Sequence, residues 1–128
     1  EGYTRFSKTL VASGSSDGTD YPFGFEAEIV ALDNPYVSQD DEISVVLNYQ
    51  GSPLPDHQIE IFERAPAGTV NVAYTRTDGK GVAAFEAKKG HEYMLDAVIF
   101  REPSAELLQR MDVQWETLWA NLTFARPE

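Results

Sequence analysis

In segment after segment of this 128-residue chain, apolar residues recur at every second position, and that period confines most of the chain to β-strands. The clearest case is residues 42–49. There Ile43, Val45, Leu47 and Tyr49 share one face, and Ser44, Val46 and Asn48 share the other. Residues 58–64 turn Ile59 and Ile61 inward, and residues 91–100 align Tyr93, Leu95, Ala97 and Ile99. The last segment, 115–125, carries Leu118, Leu122 and Phe124 on one face. Residues 3–12, 25–32, 70–77 and 81–87 read as further strands.

Turn chemistry separates these segments. A Gly- and Ser-rich stretch at 13–20, Asp33-Asn34-Pro35, the run 50–56, Ala65-Pro66-Ala67-Gly68 and Lys88-Lys89-Gly90 all break the strand pattern. Asp78-Gly79-Lys80-Gly81 is the strongest hairpin signal, because Asp-Gly tolerates the positive φ of tight turns, and it predicts that 70–77 pairs with 81–87. The only helix-prone piece lies after Pro103, which predicts one short helix near 104–111. Seven to eight short strands without a long helix predict an all-β, two-sheet antiparallel sandwich, Ig-like or transthyretin-like. With 42% hydrophobic residues, the chain is expected to form a single domain over residues 1–128. It has no cysteine, so there is no disulfide, no thiolate ligand and no antibody-type Cys-Trp-Cys pattern.

Charge and motifs narrow the function classes. With 21 acidic and 10 basic residues the net charge is −11, which repels phosphate backbones and argues against nucleic acid as a partner. No apolar run reaches the ~20 residues that a membrane helix needs. There is no Gly-x-Ser-x-Gly elbow and no phosphate-cradling glycine loop, so the expectation is a non-catalytic domain.

Five stretches carry a resemblance. They are residues 3–10 (Tyr3-Thr4-Arg5-Phe6-Ser7-Lys8-Thr9-Leu10), 28–35 ending in Asp33-Asn34-Pro35, Gly51-Ser52-Pro53-Leu54, Thr77-Asp78-Gly79-Lys80-Gly81, and 115–124 with Trp115 and Trp119. Their order and spacing resemble the C-terminal part of a bacterial family labelled periplasmic component of a cobalt-type ABC transport system, or nickel-uptake-related protein. The resemblance implies a periplasmic or extracellular location and an accessory or binding role in nickel or cobalt uptake. It also implies that the chain, which opens Glu1-Gly2-Tyr3, is the C-terminal part of a longer precursor. The implied partners are a transport-complex protein or an N-terminal domain. Members of that family often carry a histidine in the strand matching 95–100, where this chain has Ile99.

Nickel and cobalt favour imidazole nitrogen, with carboxylates as secondary ligands. The chain's two histidines each adjoin an acid, so His57 with Asp56 and His91 with Glu92 are the candidate metal ligands; an ordinary loop residue is the competing reading of each. Asp40-Asp41-Glu42, Asp17 and Asp20 lack the spacing of a calcium loop and read as charged, solvated turns. Trp115 and Trp119 are either core caps or an aromatic platform, and the second reading suits a structural or adhesive module that recognises protein or carbohydrate. Lys8 on the first strand and Asn121 on the last have the residue types of a Lys-Asn isopeptide crosslink, with Glu60 or Asp96 as assisting carboxylate. Ordinary strand residues fit those positions equally well.

Overall fold

A computed structural model describes residues 2–10, 20, 22–35, 41–101 and 116–126. Among them nine strands follow one another: β1 (Gly2–Thr9), β2 (Ala27–Ala31), β3 (Glu42–Tyr49), β4 (Ser52–Pro53), β5 (Gln58–Arg64), β6 (Val70–Arg76), β7 (Val82–Glu86), β8 (Glu92–Arg101) and β9 (Glu116–Ala125). Five form one sheet in the order β1-β9-β8-β5-β6. The other sheet is built on β3, which takes β2 along one edge and β4 and β7 along the other. This is the expected all-β sandwich, with no helix among the described residues. The expected helix at 104–111 lies outside them.

The two-residue period decides which side of each strand is dry. Ile43, Val45 and Leu47 of β3, Ile59 of β5, Leu95 of β8, and Leu118 and Leu122 of β9 are fully shielded from solvent. Burying each such side chain stabilises the fold by roughly 1.5–3 kcal/mol. Phe85, Tyr93 and Phe124 pack their rings together in the same core, with centroids 5.6–6.3 Å apart.

Pairing departs from the expected pattern in two places. Every ladder is antiparallel except one, because β1 runs parallel to β9 at the sheet edge. The Asp78-Gly79 turn forms, with Gly81 N–H donating to Asp78 O (3.1 Å) and Asp78 N–H to Val82 O (2.8 Å). The backbone N–H groups of Lys80 and Val82 also donate to the Asp78 carboxylate and hold it below the usual carboxylate range. Its two legs then separate. Thr77 N–H bonds His57 O in the five-stranded sheet, whereas Gly81 O accepts Leu47 N–H in the other. The turn therefore joins the sheets instead of closing a hairpin. Gly81 is required there, because at φ 76° an added Cβ would lie 2.7 Å from Pro53 Cβ and 3.0 Å from Leu54 N. The two-residue loop that does join paired strands is Gln50-Gly51, with φ of 52° and 80°, between β3 and β4.

Two buried cations tie the sheets together. Lys8 of β1 donates to Glu28 Oε2 (2.9 Å) and Ile29 O (3.3 Å) of β2, and to Asp20 Oδ2 (2.9 Å). Asp20, expected in a solvated turn, has a side chain only 3% exposed. The Glu28 carboxylate also accepts the backbone N–H groups of Phe23, Gly24 and Phe25, which fixes the chain just ahead of β2, a strand whose five residues are all buried. Arg126, just past β9, donates to Pro35 O and Ala87 O from a side chain 1% exposed. Removing one partner of a buried ion pair leaves the other charge uncompensated at a cost of about 3–5 kcal/mol. Lys8→Met is expected to lose that much in guanidinium unfolding, and a loss under ~1 kcal/mol would show that the network does not hold the fold.

Candidate functional site

Residues opposite one another on neighbouring strands share a face, so the ladders trace rows across the five-stranded sheet. On the side away from the core two rows cross every strand, and the central one is Ser7, Asn121, Asp96, Glu60 and Tyr74. This central row is polar except at its end. Ser7 Oγ donates to Asn121 Oδ1 (3.2 Å), and Asn121 Nδ2 donates to Asp96 Oδ1. Asp96 and Asn121 are buried, while Glu60 is half-buried and Tyr74 is 61% exposed.

Apolar and aromatic groups flank this row. On one side lie Thr123, Met94, Phe62 and Val72. A groove of about 210 Å³ opens there between Phe62, Met94, Thr123 and Val70 and the Arg64–Glu92 ion pair. On the other side lie Arg5, Trp119 and Val98, with the Arg5 guanidinium 4.9 Å from the centre of the Trp119 ring. Phe100, 65% exposed, extends the same face beyond Val98. Of the exposed large hydrophobic residues, Val70, Val72, Tyr74 and Phe100 fall on this face and Phe23 and Leu32 outside the sheet. A sheet face with apolar and aromatic groups on either side of a polar row offers both parts of a binding surface.

Burial pushes the Asp96 carboxyl up from the ordinary carboxylate range; the Glu60 charge adds to this, while the Asn121 hydrogen bond and Arg5 oppose it. A raised folded-state value favours the protonated form. The resulting stability is fully present below the unfolded pKa and is lost as pH rises through the folded one. Asp96→Asn keeps an acceptor for Asn121 and removes the buried charge. It is expected to be more stable than the parent at pH 7, with the difference shrinking as pH falls toward about 4. Urea unfolding at several pH values checks this, and a difference that grows in acid contradicts the assignment.

The four candidate metal ligands are not brought together. β5 and β8 are antiparallel, with Arg64 opposite Glu92 and Glu60 opposite Asp96. His57, which precedes β5, and His91, which precedes β8, therefore lie at opposite ends of the sheet, about 26 Å apart along the strands. Each has a local partner. His57 Nε2 lies 2.9 Å from Val98 O, and Asp56 accepts from Arg76 Nε at 2.6 Å, which holds its carboxyl below the usual range. His91 Nδ1 lies 2.9 Å from Glu63 Oε2, at an angle too poor for a hydrogen bond, and its ring stacks on Tyr93; Glu92 pairs with Arg64. Among the described residues no group of three or more His, Asp or Glu side chains could hold a metal.

The isopeptide pairing is likewise excluded by side-chain direction. Lys8 sits opposite core-facing Leu122 and turns inward, whereas Asn121 faces outward with Ser7 and Asp96. Trp119 occupies the outer face, and Trp115 lies outside the described residues. The polar row was not visible beforehand, since its members come from five separate segments. The outward period of each strand was the one available hint.

The architecture is that of a β-sandwich domain presenting one broad sheet face. A family model described as domain of unknown function, DUF4198, matches residues 1–100 of the chain, and the chain belongs to that family. Comparison with curated proteins and with solved structures finds no match. Among the described residues no helix is long and apolar enough to cross a membrane.

Proposed function

We propose that this single domain is a non-catalytic binding module, and that the outer face of its five-stranded sheet carries a carbohydrate ligand. The observation behind this reading is the row from Ser7 to Tyr74 set among aromatic and aliphatic side chains. Sugars offer both C–H faces that stack on rings and hydroxyls that need hydrogen bonds. Tyr74 supplies an open ring, and Glu60, directly opposite it, supplies a half-buried carboxylate acceptor. Trp119 stands three strands away, roughly 14 Å across the sheet. That separation suits an extended glycan better than a single sugar.

A periplasmic or extracellular setting, and an accessory role beside a nickel or cobalt uptake complex, are supported by the resemblance of residues 3–10, 28–35 and 115–124. In that setting the module works as a protein that positions or tethers, and no metal is assigned to His57, His91, Asp56 or Glu92.

A glycan array probed with the purified domain tests the reading. Tyr74→Ala is expected to weaken the strongest glycan signal about tenfold, the equivalent of about 1.4 kcal/mol, with the fold unchanged by circular dichroism. Failure to retain any glycan removes carbohydrate as the ligand class.

A further inference from the structure

β6 is an edge strand that lacks the usual protection against pairing with another chain. Among the described residues its ladder runs only to β5, and six of its seven residues are exposed. Edge strands are ordinarily blunted by Lys, Pro, bulges or inward-pointing charge. The opposite edge has such a device, because β1 carries the inward-pointing Lys8. β6 reads Val70-Asn71-Val72-Ala73-Tyr74-Thr75-Arg76 and contains neither Lys nor Pro. Its one charge, Arg76, is engaged by Asp56. Residues 65–77 contain no acid, although the chain carries 21 and has a net charge of −11. Two copies can therefore approach along this edge without bringing carboxylates of β6 together.

The strand is also self-complementary. We propose that two copies of this chain pair antiparallel through β6, centred on Ala73, and so join their five-stranded sheets into one continuous sheet. In that register Val72 lies opposite Tyr74 of the second copy, and Tyr74 opposite its Val72. Asn71 meets Thr75, Val70 meets Arg76, and Ala73 meets its own counterpart on the two-fold axis. Aromatic against β-branched is among the favourable cross-strand combinations, and no like charges face each other. The contact is isologous and closes at two copies, because each chain contributes the same edge once. This inference does not rest on the carbohydrate reading: it concerns backbone pairing along the strand edge and is read by sedimentation without glycan, although Val72 and Tyr74 also lie on the sheet face.

Sedimentation equilibrium over a micromolar to near-millimolar range is expected to show reversible dimerisation. Val72→Lys with Tyr74→Lys sets lysine against lysine twice and is expected to weaken the dimer at least about 100-fold. Val72→Lys with Tyr74→Glu sets lysine against glutamate twice in the proposed register and is expected to restore the dimer. Because the chain has no cysteine, Ala73→Cys is expected to give a disulfide-linked dimer on mild oxidation. A parent protein that stays monomeric throughout overturns the proposal. So does a double-lysine variant that still dimerises, or a folded lysine–glutamate variant that does not.

Discussion

The buried cation of Lys8 is the interaction on which the rest of this fold depends. It joins the outermost strand of one sheet to the outermost strand of the other, and it does so from inside. Its two carboxylate partners, Glu28 and Asp20, are as buried as it is, with side chains 2–3% exposed. Three desolvated charges are expensive, and their mutual attraction offsets that expense only if the remaining lone pairs are also bonded. Here they are. Glu28 collects three backbone N–H groups and Asp20 one, from Ala31, so the network also dictates the path of the chain into β2. An apolar residue at position 8 could fill the space but could not hold that path.

With this side closed, the sandwich is asymmetric. The β1–β2 side is closed by the ion network, and Arg126 adds a second tie between the end of β9 and the backbone at Pro35 and Ala87. On the other side β6 and β7 belong to different sheets, and between them lies a cavity of about 300 Å³ bordered by Glu63, Asn71, Phe85 and Lys88. Tyr93 reaches its edge, donating to Glu63 and accepting from the Lys88 backbone N–H, and burial pushes its phenol well above the usual range. Among the described residues, the β6 edge and the β6 end of the outer sheet face are open to other molecules, and they lie across the sheet from the Lys8 network on β1.

Much of the architecture could be read from the residues, and the misses share a cause. The inward faces of β3, β5, β8 and β9 followed from alternation. The Asp78-Gly79 turn was expected and is present, but its strands go to different sheets, because a turn motif states only how the chain reverses and not which neighbours capture each leg. Lys8 and Asn121 were paired by residue type, and the parallel register put them on opposite faces. His57 and His91 each had an acid beside them in sequence, yet antiparallel β5 and β8 carried the two pairs to opposite ends of the sheet. Asp20, in a Gly- and Ser-rich stretch, looked solvated and proved to be a partner of the central cation.

What the sequence determined by itself was the class of structure and the side of each strand that would be dry. Both follow from the two-residue period of a β-strand and from the free energy of removing apolar surface from water, and both are local. What the tertiary structure alone decided was adjacency. It made β1 parallel to β9, sent β7 to β3, and assembled Ser7, Asn121, Asp96, Glu60 and Tyr74 into one row. Strand period carries no record of which strands will be neighbours or in what register. A site built across five strands therefore exists only once hydrogen bonding between distant segments has set their order.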